Sequence, residues 1–183
     1  MPSVLSHAIV ATAIGKVAEP KQPPWWYWAL GAAVSAAPDL DVIGFRFGIR
    51  YGDVLGHRGF THSLLFAALL AGLITFALAG QQRISSGRLF CFLFLATASH
   101  GLLDAMTNGG LGVAFFSPFS NARYFFPFRP IQVSPIGVGR FFSARGLAVA
   151  ESEALWLWIP SALVFALKTV LRGRSHRAHA ADE

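Results

Sequence analysis

The sequence predicts an all-α membrane protein: a polytopic helical bundle of about five helical segments, with a long irregular connection before the last helix. Three observations predict it. Hydrophobic residues make up 54% of the 183-residue chain and charged residues only 13%, against about 25% charged in an ordinary soluble domain. The apolar residues fall into runs of helical length, and the prolines and charges concentrate between them. Aromatic residues crowd the ends of these runs, as in Trp25-Trp26-Tyr27-Trp28 and at Trp156 and Trp158, where amphipathic rings suit the membrane–water boundary.

Residues 3–17 are rich in Ala, Ile and Val, with Ser3 or Ser6 available as a cap. They predict a helix short of the about 20 residues of a full span. His7 lies in its first turns, and a proline-broken loop with Lys16, Glu19, Pro20, Lys21, Pro23 and Pro24 follows. The aromatic cluster opens a second short helix, residues 27–37, which Pro38 is expected to end. Asp39-Leu40-Asp41 comes at once, and residues 42–56 form a connection containing Gly and Arg. It leads to His57-Arg58-Gly59-Phe60-Thr61-His62-Ser63, which packs two imidazoles, a guanidinium and two hydroxyls into one short stretch. Thr61 is placed to cap a third helix, residues 64–79, which carries no charge. After a polar turn at 81–88, residues 89–108 begin apolar and end with Ser99, His100, Asp104, Thr107 and Asn108, and Gly109-Gly110 is a stop signal. Residues 111–152, rich in Gly, Pro, Phe and Arg, have no helical period and predict turns and short interfacial helices. Residues 154–171 are the last apolar run.

Residues 1–171 thus read as a single membrane-embedded domain, and the basic, then small and polar, residues 172–183 as a disordered tail. The net charge of +6 is dispersed along the chain and flanks apolar runs, which suits lipid headgroups and topology signals and gives no direct nucleic-acid binding. One cysteine, Cys91, lies inside an apolar run, so neither a disulfide framework nor a thiolate metal cluster is expected. The start, Met1-Pro2-Ser3-Val4-Leu5-Ser6-His7, lacks the basic region of a cleavable signal. Counting segments puts His7, Asp39, Asp41, His57, His62, His100 and Asp104 on one face of the membrane. Lys16, Lys21, Arg83, Arg88 and the basic tail fall on the other. Arg46, Arg50, Arg58, Arg123, Arg129, Arg140 and Arg145 fall on the site face, so the totals nearly balance. The charges of the other side sit in short loops and the tail, where the positive-inside rule is most reliable, and so lean the polar face outside the cytoplasm.

Carboxylates and imidazoles at the mouths of apolar helices are costly unless solvated, paired or bound to metal. His100 and Asp104, four apart on a helix, share a face and can hold one ion together. His57 and His62, five apart, converge only if His57 lies in the loop before the helix, as Gly56 and Gly59 permit. With Asp39, Asp41 and His7 these make seven ligand-type groups, more than one tetrahedral ion takes. Two ions, or one ion with carboxylates orienting imidazoles, fit better. Nitrogen and oxygen donors without sulfur suit Zn²⁺ or Mn²⁺, and a more carboxylate-rich site Mg²⁺. Such a site would generate a hydroxide near neutral pH, with Asp41 as ligand or general base and Arg58 stabilising an oxyanion or phosphate. The chemistry expected is hydrolysis of a phosphoester or other ester. The rival expectations are a transporter or metal carrier, in which His and Asp line an ion path, and a non-enzymatic regulatory membrane protein.

The set formed by His7, Pro38-Asp39-Leu40-Asp41, His57 to Ser63, and Ser99-His100-Gly101-Leu102-Leu103-Asp104-Ala105-Met106-Thr107-Asn108-Gly109-Gly110 resembles the YdjM family. The resemblance runs in order from His7 to about Pro160. It implies a multi-pass protein of the bacterial inner membrane and a metal-dependent hydrolase, distantly similar to zinc-dependent phospholipase C and P1 nuclease. Some members are described as LexA-binding or LexA-regulated, which implies a regulatory protein partner beside the lipid bilayer. By this resemblance His7, Asp39, His57, His62, His100 and Asp104 hold one or more divalent ions, zinc foremost. The substrate is expected to be lipid-like or a phosphoester. The family also tends to carry an acidic residue before the last helix, which adds Glu153, favoured over Glu151, to the metal ligands. Ser117-Pro118 and the Phe-rich run after it match the family's segment after the site and are expected to shape a lipid-facing entrance.

Overall fold

A computed structural model describes residues 1–18, 23–80, 84–134 and 143–181, with side chains up to Arg172. The charges Lys21, Arg83 and Arg140 lie outside the described residues. The described chain is all helical, with five helical segments. α1 spans Val4–Ala18, α2 Trp25–Ala36, α3 Leu64–Ala77 and α4 Ser86–Ala105. The fifth segment is α5, Ala144–Glu153, which passes through a π-helical turn at Ala154–Trp158 into α6, Ile159–Ala181.

Local chemistry sets most of these boundaries. Pro24, extended at φ −68° and ψ 157°, precedes α2. Ser63 caps α3 by accepting the Phe66 N–H, and Ser143 does the same for α5 from Gly146. The cap of α3 is therefore Ser63, and Thr61, the expected cap, is used elsewhere. Pro38 does not end the helical path either. Its ring suits a first-turn position, and the chain runs on from α2 into an eleven-residue 3₁₀ helix, Ala37–Phe47, that closes on Gly48 at φ 80°. The last helix begins ten residues earlier than the apolar run suggested, because Ser143 supplies a cap upstream of it. Helical backbone continues to Ala181, through the stretch expected as a disordered tail.

α4 is the centre of the bundle, touching α1, α2 and α3, while α6 packs along α1. Its 20 residues, at about 1.5 Å each, give about 30 Å, the thickness of a bilayer core. Among the described residues, α4 and the segment Ala144–Arg172 are the two helices long and apolar enough to cross a membrane, the first about half buried in the protein and the second largely exposed. The core forms where α1, α2 and α4 meet, around Ala11, Tyr27, Val34, Leu89, Phe92 and Leu93. Phe92 stacks on Tyr27 at 4.2 Å. Glycine makes that possible: a Cβ at Gly31 would stand 2.4 Å from Phe92 Cζ, and one at Gly15 2.9 Å from Phe92 Cε2. Small residues let helix backbones approach in this way inside membranes, where apolar burial alone gives no preference.

The two connections at one end of this bundle pack on each other. Ala114 donates to the Arg58 carbonyl, Leu64 to the Phe115 carbonyl, and Arg123 Nη1 to the His57 carbonyl at 3.0 Å. Between residues 106 and 134 the chain is irregular, pinned by isolated bridges between Thr107 and Ile131 and between Val113 and Tyr124.

Candidate metal centre

Four helix ends meet at those connections: the start of α1, the end of α2, the start of α3 and the end of α4. They bring His7, Asp39, His57, His62, His100 and Asp104 together, all buried. His7 enters from the second turn of α1, and His100 and Asp104 from the last turns of α4. Asp39 rides on the 3₁₀ helix. His57 sits in the turn before a single 3₁₀ turn, Phe60–His62, that carries His62. α4 passes so close to this loop that a Cβ at Gly101 would meet the His62 carbonyl at 2.8 Å.

The polar atoms face one another without bonding to one another. His100 Nε2 is 3.2 Å from Asp39 Oδ1, His62 Nε2 is 3.5 Å from Asp104 Oδ2 and 3.7 Å from Asp39 Oδ1, and His7 Nε2 is 3.9 Å from Asp104 Oδ1. Yet His7 Nε2, both oxygens of Asp39, His62 Nε2, His100 Nε2 and Asp104 Oδ1 lack a hydrogen-bond partner. With His7 Nδ1 they are all but one of the buried side-chain polar atoms so left among the described residues, the other being Thr75 Oγ1. Native proteins leave few buried polar atoms unpaired, and each costs free energy. Here the orphans converge on one volume.

The remaining atoms explain the aim. His100 Nδ1 is 2.6 Å from the Ser35 carbonyl, which fixes the proton on Nδ1 and leaves Nε2 with a lone pair toward the cluster. Asp41 does this for two imidazoles. Its Oδ1 lies 2.8 Å from His57 Nδ1, and its Oδ2 lies 3.2 Å from His62 Nδ1. Thr61 Oγ1 donates to the same Oδ2 at 2.7 Å. His7 and His100 stack at 3.7 Å between centroids.

Arg58 lies behind the cluster rather than at its mouth. It is fully buried. Its Nε donates to Asp104 Oδ2, Nη1 to the Gly109 carbonyl and Nη2 to Thr107 Oγ1, all at 2.9 Å. A non-glycine residue at φ 63° is uncommon and held by its surroundings. Glu153 is engaged by other partners. Its carboxylate accepts from the Ser3 N–H and from the hydroxyls of Ser3 and Ser6, the latter two at 2.6 and 2.7 Å. Trp158 Nε1 in turn donates to Ser6 Oγ. Glu153 thus joins the start of α1, which carries His7, to the last helix. Asn108 is exposed and bonds to Gln132 and Val133. Thr61, Ser35, Thr107 and Gly109 are the supporting groups that sequence spacing did not reveal. Two of them act through backbone carbonyls and leave no side-chain signal.

Three overlapping triads could each hold an ion: His7–Asp39–His100, Asp39–His57–His62 and His62–His100–Asp104. The spacing fits. Ligand atoms about 2.0–2.1 Å from a tetrahedral zinc lie about 3.4 Å apart, within the range of the separations above. The charge fits too: Asp39, Asp41 and Asp104 against Arg58 leave −3 + 1 = −2 with neutral imidazoles. Without a cation the protons redistribute. Burial would lower the pKa of His62, but Asp39, Asp41 and the charge of Asp104 raise it to about 9. Burial would raise Asp39, but His100 and then His62 hold it well below the usual carboxylate range. For Asp41 the same opposition is won by His57 and His62. The Met1 amino group, 3.9 Å from Asp104 Oδ1, is lowered by burial to about 6 and is largely uncharged at neutral pH.

The family model described as YdjM inner membrane protein matches residues 1–175 of the chain. The inner membrane protein YbcI of Escherichia coli (strain K12) is 40% identical over 169 residues, which cover 91% of this chain and 96% of YbcI. The uncharacterized protein YvsG of Bacillus subtilis (strain 168) is 38% identical over 94 residues, 48% of this chain and 55% of YvsG. No solved structure matches the chain.

Proposed function

The chain belongs to the family of YdjM inner membrane proteins, and we propose that it is a multi-pass, metal-dependent hydrolase of the bacterial inner membrane. Its substrate would be a phosphoester or other ester of a lipid-like molecule, reached from the extracytoplasmic face. The observation that carries the metal is the convergence of unpartnered buried atoms from His7, Asp39, His62, His100 and Asp104. His57 completes the set through the triad it shares with Asp39 and His62. One ion, or a close pair sharing Asp39, accounts for the overlapping triads, and zinc suits the mixed nitrogen and oxygen donors. A bound divalent ion supplies Lewis acidity toward a water and toward the ester oxygen.

The chain's own residues orient and balance the site. Asp41 and the Ser35 carbonyl engage Nδ1 of three imidazoles, and Nε2 of His62 and of His100 is left free for the ion. Arg58 holds Asp104 in place through its Nε bond to Oδ2, a positioning role and not contact with the substrate. Asp41, engaged by His57, His62 and Thr61, orients ligands; it is not an idle base. Glu153 holds α1 and through it His7. Clustering at one end of the bundle favours this reading over a transporter, whose ligands would be spread through the depth of the helices.

A panel of phosphodiester, phospholipid and carboxyl-ester substrates, assayed on detergent-purified protein with added Zn²⁺ or Mn²⁺, tests the activity. Turnover of one class that is lost in His100→Ala is expected. Turnover unchanged in His100→Ala would overturn the assignment.

A further inference from the structure

The 3₁₀ helix Ala37–Phe47 is amphipathic in an inverted sense. With three residues per turn, side chains three apart line up on one edge. Leu40, Ile43 and Arg46 form such an edge, with Phe47 beside it. Leu40 is 64% exposed, Ile43 51% and Phe47 80%. The same helix buries Asp39 and the side chain of Asp41 against the metal centre. A loop facing water would present its carboxylates outward and its leucine and phenylalanine inward. The neighbouring connection, which packs on this one through Arg58 and Arg123, has an exposed apolar side chain of its own, Phe119, at 85%.

Charge identifies what covers this surface. Arg46 and Arg50 are exposed on it, and Arg129 on the second connection. In the described residues of the two connections the carboxylates other than those of the metal centre come down to Asp53, which is tied to Arg50. The surface is therefore cationic as well as apolar. It also continues without a break from α2, an apolar helix. Apolar side chains with interspersed arginines match the boundary between acyl chains and anionic headgroups.

We infer that the outer edge of this 3₁₀ helix docks on the membrane surface, with Leu40, Ile43 and Phe47 at the headgroup–acyl boundary and Arg46 among anionic headgroups. The element that touches lipid then carries Asp39 and Asp41 on its other side, so the metal centre opens at the level of the headgroups. This inference rests on the membrane part of the proposal above and not on its chemistry.

The test uses the full chain with its single cysteine removed (Cys91→Ala) and one new cysteine, Phe47→Cys or Phe119→Cys, labelled with an environment-sensitive fluorophore. Both positions are too exposed to carry packing, so either variant keeps the other interpretable. Labelled protein is placed in nanodiscs of phosphatidylcholine with or without phosphatidylglycerol. Quenching is then measured with a nitroxide on the upper acyl chain and with iodide in solution. The expected result is at least twofold quenching by the lipid-borne nitroxide, protection from iodide, and stronger quenching in the anionic discs. Free access to iodide with no lipid quenching would overturn the inference and mark the surface as water-facing or as a protein-binding face. Equal quenching in both discs would remove the anionic preference. The readout needs neither metal nor substrate, so a chain without metal that still shows lipid quenching would sink the hydrolase reading alone.

Discussion

Replacing Arg58 with methionine separates two roles for the residue between the paired histidines. Methionine keeps much of the stem and removes the charge. Three bonds at 2.9 Å are lost. Thr107 keeps a partner, because its hydroxyl still donates to the Asp104 carbonyl at 2.7 Å. Asp104 loses a buried ion pair, which costs about 3–5 kcal/mol when one partner is removed. The Gly109 carbonyl loses its shorter bond and keeps only the Thr107 hydroxyl at 3.3 Å, a loss of about 1 kcal/mol. A net loss of about 4–6 kcal/mol follows, and at about 2–4 °C per kcal/mol for a chain of this size the melting temperature falls by roughly 10–20 °C. Tryptophan fluorescence during heating in detergent reads this directly. Metal content, measured on the same preparation below the transition, should fall as well, since Asp104 is no longer held. Arg58→Lys should recover part of the stability, because it restores the charge without the fork. A variant that melts within about 2 °C of the parent and keeps its metal, yet loses turnover, would refute the positioning role. It would return Arg58 to the substrate.

Glu153→Gln should lower stability while leaving the metal per chain unchanged, because its carboxylate serves Ser3 and Ser6; loss of metal at normal stability would make it a ligand. Gly31→Ala pushes a Cβ into the Phe92 ring and should cost about 1–3 kcal/mol, partly restored in a Gly31→Ala/Phe92→Leu double variant, and additive losses in thermal unfolding would count against the contact. In the metal-free chain His62 has a folded pKa of about 9, raised above its unfolded value. Its contribution to metal-free stability is thus full below about 6.5 and lost as pH rises through about 9. Metal must displace that proton, so apparent affinity in a competition assay should rise between pH 6.5 and 9, and a flat profile would contradict the arrangement.

What the sequence disclosed and what it hid divide along a physical line. Helix periodicity and segment parity are properties of regular structure, and they sufficed to put His7, His100 and Asp104 at one end of an all-helical bundle. Turn geometry is not periodic. Arg58 reads from sequence as a free cation between two histidines, but with its backbone at φ 63° its guanidinium is held on Asp104, Thr107 and Gly109. Thr61 and Ser63 are equally good caps on paper, and the choice between them is made by Asp41, which takes the Thr61 hydroxyl. Asp39 and Asp41 look like an extended pair, yet a proline tolerated at the start of a 3₁₀ helix wraps them. One then faces the unpartnered cluster and the other His57 and His62. The last helix hid its start because residues 144–153 are amphipathic rather than apolar, and its cap, Ser143, looks like any loop serine.

If the converging imidazoles and carboxylates hold a divalent ion, the purified protein carries it. Metal content per chain, by elemental analysis of detergent-purified protein, tests this beside a His62→Ala/Asp104→Ala variant of matched purity. At least one equivalent of zinc or manganese is expected in the parent, with most of it lost in the variant. A parent that holds no more metal than the variant would contradict it.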